Sequence, residues 1–150
     1  MKISLLLLLC PFLVLADDLE KEKELSRAFL AEMAKEPGAE VTPEGVVVRA
    51  IFRSPSAVYP KDSDTVGVSY HLSDREGILI EESISSDEVI SFPLNRLIKC
   101  WRIAIPKMSV GSYYKISCPS DTAYGDRGAA PSIKPGAALV FRVTLFSTQP

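Results

Sequence analysis

Apolar positions along the chain change their period twice. From Asp17 to Glu36 the run DDLEKEKELSRAFLAEMAKE is heavily charged, and Leu25, Phe29 and Met33 return every fourth residue. This spacing predicts a helix with a narrow apolar stripe. Asp17 and Glu20 stand at capping-box spacing at its head, and Pro37-Gly38 stops it. Beyond Gly38 the period falls to two in VVVRAIF from Val46, TVGVSYHL from Thr65, ILIEESI from Ile78, SYYKISC from Ser112 and ALVFRVTLF from Ala138. Their β-branched and aromatic content predicts antiparallel strands. Turn chemistry at Ser54-Pro55, Pro60, Asp74 to Gly77 and Pro135-Gly136 separates them. One segment between strands returns to helical spacing, with Leu94, Leu97, Ile98, Trp101 and Ile105 at steps of three and four before Pro106. A single short amphipathic helix must bury its stripe on the sheet. The predicted fold class is therefore α+β, a curved antiparallel β-sheet packed on one short α-helix, with a short helix at the amino end.

The amino end reads differently from the rest. Met1 and Lys2 precede ISLLLLLCPFLVLA, apolar from Ile3 to Leu15, with Val14 and Ala16 as small residues two apart before Asp17 and Asp18. This is the pattern of a secretory signal peptide over residues 1–16, cut after Ala16. A transmembrane span needs about 20 apolar residues, and the charged run begins too soon. A lipid anchor on Cys10 would need a small residue before the cysteine, where Leu9 stands. Export to a secreted, periplasmic or secretory-lumen location follows. The remainder divides into a helix and linker over 17–40 and one domain over 41–150, since 150 residues with 47% hydrophobic content build a single core. The narrow stripe allows the helix to lie on the domain, fray in solvent or touch a second copy, which makes the chain a monomer or a weak homodimer through that helix. Its separation by Pro37 and Gly38 predicts that it is dispensable for folding.

Composition removes several classes of function. With 17 basic against 19 acidic residues and a net charge of −2, no basic patch points to nucleic acid. One histidine and no paired Cys/His spacing leave no metal site, and no cofactor motif is present. Export would leave Cys100 and Cys118 where a disulfide is chemically allowed. Their apolar neighbours favour two buried free thiols, and the pairing stays open. An aromatic stands where a spacer would carry Ser or Asn: Tyr124, in the Gly/Ala/Pro-rich loop SDTAYGDRGAAPSIKPG.

The stretches VSYHLSDREGILIEES, FPLNRLIKCW, MSVGSYYKISCPSDTAYG and IKPGAALVFRVTLF, ordered and spaced between Val46 and Phe146, resemble successive blocks of FKBP-type peptidyl-prolyl cis-trans isomerases. The charged helix, the TPEG lead-in from Thr42 to Gly45 and the amino-terminal segment resemble the secreted Mip-like branch, the macrophage infectivity potentiators. The resemblance implies a strongly curved sheet around a short helix and isomerisation of X-Pro bonds in an apolar pocket between them. It implies a pocket floor at Trp101, with Tyr70, Ile80, Glu81, Phe92, Leu97, Ile98, Tyr124, Ile133 and Phe141 around it. Tyr70, Glu81 and Tyr124 would be the catalytic polar groups, with the Ile98 N–H as a further donor. Proline-containing polypeptides and rapamycin-type macrolides would be the ligands. Read without the resemblance, Trp101, Tyr70, Phe92 and Phe141 are core positions and Glu81-Glu82 a solvated pair.

Two departures from the family pattern bear on activity. Ile80-Glu81 stands where the pattern has a large aromatic followed by Asp, and Cys100 stands where a Gly precedes the Trp. Loss of the ring opens one wall, and the longer Glu arm is expected to miss the depth of an Asp carboxylate without a changed rotamer. Weakened catalysis is the expectation. The competing reading is a chaperone or proline-segment binding module that uses the same groove with little or no turnover.

Overall fold

The computed structural model describes residues 11–83 and 88–150. Most of the expected signal segment, with Cys10, lies outside them, as does Ile84 at the end of the expected third strand. Helix α1 (Pro11–Met33) leads into strands β1 (Ala39–Val41), β2 (Val47–Phe52), β3 (Thr65–Asp74), β4 (Leu79–Glu82) and β5 (Ile90–Pro93). Helix α2 (Lys99–Ala104) and strands β6 (Tyr113–Cys118) and β7 (Leu139–Gln149) follow. The strands form one antiparallel sheet in the order β1-β2-β6-β7-β3-β4, with β5 sharing the β4 edge of β3. β1 and β5, of three and four residues, are too short to register as a period-two pattern.

Alternation sorts the two faces. Val48, Ile116, Phe141 and Leu72 form one row across four strands, and all belong to the hydrophobic core with Trp101, Ala104 and Ile105 of the α2 segment. The helical spacing from Leu94 to Ile105 does not form one helix. A 3-10 turn at Leu94–Arg96 closes when Leu97 N–H donates to the Leu94 carbonyl at 3.2 Å. Leu97 (φ −86°, ψ 168°) and Ile98 (φ −57°, ψ 150°) are then extended before α2 begins. A three-to-four spacing cannot separate this broken arrangement from a continuous helix, because every piece turns the same face to the sheet.

The preference for two free thiols is corrected. Cys100, at the start of α2, and Cys118, at the end of β6, form a disulfide with Cα atoms 5.8 Å apart, and both are fully buried. Their neighbours are apolar, as expected, but the two sulfurs meet across the core.

The amino-terminal helix is also more firmly attached than its stripe suggests. One residue out of step with the core row, Val47, Ser117, Val140 and Ser73 form a row on the convex face of the sheet, and all four are buried. α1 packs against this side of the sheet. Ser26 bonds to the backbone at Gly136 and Ala138, and Glu22 grips Arg75 through two 3.1 Å hydrogen bonds. Just past the helix, Glu36 accepts a bond from Lys115 Nζ at 3.0 Å and pairs with Arg49 Nε at 2.8 Å. Leu25, part of the expected stripe, remains 40% exposed. The docking face combines half-buried Leu19, Leu30 and Met33 with polar anchors to peptide groups and ion-pair partners of the sheet, which a search for apolar spacing passes over.

The Lys115 hydrogen bond, opposed by burial and aided by the charges of Lys115 and Arg49, holds the Glu36 carboxyl below its ordinary value of 4.5. A depressed folded-state value means that Glu36 contributes stability above the unfolded value and loses it as pH falls through the folded one. Acidification below about pH 4.5 should therefore weaken the α1 attachment. A Glu36→Gln chain should lose this acid-sensitive increment while remaining folded, measured as unfolding midpoint against pH.

Candidate active site

The concave face of the sheet and α2 enclose a hollow of about 160 Å³. β3 supplies Tyr70 and Leu72 two residues apart on one face, and β7 supplies Phe141 directly beside Leu72. Trp101, in the first turns of α2, stands on end among three rings. Phe141, Tyr70 and Phe92 have centroids 5.2, 5.3 and 6.3 Å from it, with interplanar angles of 82°, 86° and 89°. Edge-on packing of this kind suits the ring quadrupoles and fixes the angle of each wall. Trp101 Nε1 is buried without a hydrogen-bond partner among the described residues.

Polar groups stand at the rim. Tyr70 Oη donates to Glu81 Oε1 at 2.6 Å. The longer Glu side chain therefore meets Tyr70 at the rim of the hollow. A β-bulge explains how: pairing passes from Leu72↔Glu81 to Ser73↔Leu79 with Ile80 as the extra residue, which re-aims the strand. Burial, reinforced by the bond to Glu81 and by its charge, pushes the Tyr70 phenol well above the ordinary tyrosine range. Its proton is thus present throughout the physiological pH range. The extended link before α2 places Leu97 and Ile98 on the hollow. The Ile98 carbonyl accepts from Trp101 and Arg102, while its N–H has no acceptor among the described residues, as is usual where a helix begins.

Tyr124 closes the site from a braced loop. After a 3-10 turn at Ser120–Thr122, Gly125 turns back with φ +61° and donates to the Ser120 carbonyl at 2.7 Å. Gly128 donates to the Tyr124 carbonyl at 3.0 Å, and Ala129 and Ile133 exchange two 2.9 Å bonds. A Cβ on Gly128 would lie 2.5 Å from the Ile133 carbonyl oxygen, so only glycine permits this closure. The Tyr124 ring is 40% exposed and lines the hollow.

Of the residues singled out in the sequence, Tyr70, Glu81, Phe92, Leu97, Ile98, Trp101, Tyr124 and Phe141 line one hollow. Ile80 and Ile133 do not. They face a neighbouring recess of about 40 Å³ with Ala137 and Leu139. Leu72 is the lining residue that sequence reasoning missed, although its place two residues after Tyr70 on a strand was the signal for it. Among the described residues no cluster of His, Cys, Asp and Glu suits a metal ion, and no helix is long and apolar enough to cross a membrane.

Residues 57–146 match the family model of the FKBP-type peptidyl-prolyl cis-trans isomerases. The chain is 37% identical over 117 residues to the FKBP-type 22 kDa peptidyl-prolyl cis-trans isomerase of Escherichia coli, covering 78% of this chain and 56% of that protein. It is 32% identical over 126 residues to the peptidyl-prolyl cis-trans isomerase Mip of Coxiella burnetii, covering 84% and 54%. The crystal structure of FkpA from Escherichia coli superposes with a TM-score of 0.84 at 29% identity, over 91% of this chain and 63% of that one. A peptidyl-prolyl cis-trans isomerase from Pseudomonas syringae superposes with a TM-score of 0.81 at 26% identity, over 87% and 96%. The chain spans about half the length of the curated relatives it matches.

Proposed function

Because the chain belongs to the FKBP-type peptidyl-prolyl cis-trans isomerase family, we propose that its aromatic hollow takes X-Pro segments of exported or partner polypeptides and turns the prolyl bond between cis and trans. The observation that carries this reading is the Trp101 floor boxed by Tyr70, Phe92 and Phe141, with the polar ends of Tyr70, Glu81 and Tyr124 at the rim. A proline ring is apolar and compact, and such walls strip it of water. The reaction needs no nucleophile, since the bond rotates without breaking. Its barrier is the amide resonance lost in the twisted state, about 18–20 kcal/mol, which makes the free process take tens to hundreds of seconds. A dry wall favours the twisted imide, whose charge separation is smaller than that of the planar form. The Ile98 N–H and the Tyr124 hydroxyl hold the carbonyls on either side, and fixed donors act more strongly away from water. Tyr70, tied to Glu81, gives the third polar edge.

Several features support export. The amino-terminal pattern is that of a signal peptide, and a buried disulfide between Cys100 and Cys118 belongs in an oxidising compartment. A relative from Legionella longbeachae, 30% identical, is named outer membrane protein MIP. α1 spends its inner face on its own sheet, leaving Leu25 and part of Phe29 for a second copy, which favours a monomer over a helix-mediated dimer.

Ile80 favours the second reading, a holding module with weakened turnover. It turns to the recess beside Ile133 instead of walling the proline site. The test is a coupled isomerisation assay on a short X-Pro peptide, run with and without a pipecolyl macrolide while Trp101 emission reports occupancy. A recess of about 40 Å³ is too small for a phenyl ring, so Ile80→Phe should turn its ring to the hollow and raise kcat/KM about tenfold, ~1.4 kcal/mol off the barrier, with a smaller gain in macrolide affinity. Tighter binding at an unchanged rate would give the holding role precedence, and no emission change at any soluble ligand concentration would remove the pocket from both readings.

A further inference from the structure

α1 touches no part of the hollow, yet its docking contacts converge on the two segments that form the rim. Leu19, Glu22, Lys23 and Ser26 stand at steps i, i+3, i+4 and i+7 and so share one helical face. Glu22 grips Arg75 in the β3–β4 turn, the turn that Asp74 braces by accepting the Glu76 and Ile78 amides at 2.9 Å each. That turn feeds β4, which carries Glu81. The other three residues meet the Tyr124 loop.

Ser26 is 4% exposed, and its hydroxyl both donates and accepts. It donates to the Gly136 carbonyl at 2.9 Å and accepts the Ala138 amide at 2.9 Å. A serine inside a helix commonly bonds to its own backbone, whereas this one bonds across to another segment. The Gly136 amide in turn donates to the Gly125 carbonyl at 2.9 Å, and Gly125 follows Tyr124. The helix also rests on the Gly136 backbone, where a Cβ would come within 2.7 Å of Lys23 Cγ and 3.1 Å of Leu19 Cδ1. Lys23 Nζ reaches past it to Asp126 Oδ1 at 3.2 Å. A line of short contacts therefore runs from Ser26 through the Gly136 peptide to Gly125 and Tyr124.

We propose that Ser26 is a positioning residue for the pocket: by fixing the Gly136 peptide from the convex side of the sheet, it sets where the Tyr124 loop stands over the bound proline. The consequence for peptide recognition rests on the isomerase reading, while the mechanical link does not. Loops of this kind have high intrinsic freedom, and most bonds in this one are internal to it. The Gly136–Gly125 bond joins its two ends, and Ser26 holds Gly136 to the rest of the fold. Without the hydroxyl, a buried carbonyl and a buried amide lose their partner, and the backbone must shift to recover one.

The test is a double-mutant cycle between Ser26→Ala and Tyr124→Phe, read by kcat/KM on an X-Pro peptide and by peptide affinity from Trp101 emission. Amide exchange of Gly136 and Val143 is followed on the same proteins. Ser26→Ala should lower kcat/KM five- to tenfold in the parent chain and less than twofold when Tyr124 is already Phe, because the two act through one group. Exchange at Gly136 should speed up tenfold or more relative to Val143 in the middle of β7. Equal factors in both backgrounds, or equal speeding at both amides, would reduce Ser26 to a general stabiliser and overturn the proposal. If the parent neither binds nor turns over the peptide, the isomerase reading fails while the exchange comparison still decides the link. Should Ser26→Ala not fold, Lys23→Met keeps the stem on Gly136 and removes the 3.2 Å Asp126 pair together with the longer 3.8 Å contact to Glu20 within the helix. The same cycle should then show about a twofold effect that disappears with Tyr124→Phe, and a persistent effect again counts against the proposal.

Discussion

A chain that begins at Glu40 should melt on the order of 10 °C below the full chain, or fail to fold cooperatively. Without α1, the buried convex row loses its cover, and Val47 and Val140, each 4% exposed, meet water. Full burial of a valine is worth at least ~1.5 kcal/mol, so the pair alone approaches ~3 kcal/mol, to which the Glu22–Arg75 and Glu36–Lys115 contacts add. Against a total stability of about 5–15 kcal/mol this is a large share, and each kcal/mol shifts the melting point of a domain this size by several degrees. Circular dichroism on both chains, with Trp101 emission as a second probe, measures it. A cooperative melt at an unchanged temperature would show that α1 rests on the sheet without supporting it, restoring the dispensable helix that the sequence suggests.

Glu81→Ala should lower the isomerisation rate on the order of a hundredfold while peptide affinity falls less than threefold. The carboxylate bonds to Tyr70 at the rim, so its removal leaves the Trp101, Phe92 and Phe141 rings in place. It does free the Tyr70 hydroxyl, which then points wherever its rotamer and water allow, and a misplacement of about 1 Å in such a site can cost ~100-fold. Glu81→Asp should keep most of the rate if the bulge at Ile80 lets the shorter arm follow Tyr70. The measurement is kcat and KM for both variants on one peptide. Equal losses in rate and affinity would mean that Glu81 contributes uniform binding, and the holding reading would gain.

The sheet was legible because its longer strands are β-branched and aromatic runs near period two, bounded by Gly and Pro. Where the chain departed from period, as in three-residue β1 or the link at Leu97 and Ile98, local pattern carried no mark of it. The pocket was legible mostly through the ordered blocks around Trp101 and Tyr124, since each ring taken alone reads as core. Ile80 and Ile133 were placed by block position, and the bulge that turns Ile80 toward the recess has no signature in residue type. The meeting of Glu81 with Tyr70 was not legible, because arm length says nothing of the bulge that aims the strand. The role of α1 was hidden for a different reason. Beside half-buried Leu19, its inner face anchors through a serine, a glutamate and a lysine, residues that mark a solvent face unless their partners, 53 to 112 residues away, are known.

Those separations also set an order in time. A chain made from its amino end at about 5–20 residues per second presents Ser26 roughly 6–22 seconds before Ala138 emerges to meet it. α1 is thus made well before the strand it docks on and finds its place only afterwards. During that interval it stands free, and its charged surface keeps it in water with no neighbour to satisfy it. A helix built to dock through a broad leucine stripe would meanwhile adhere to any nascent strand, whereas one anchored largely by a hydroxyl and ion pairs can wait.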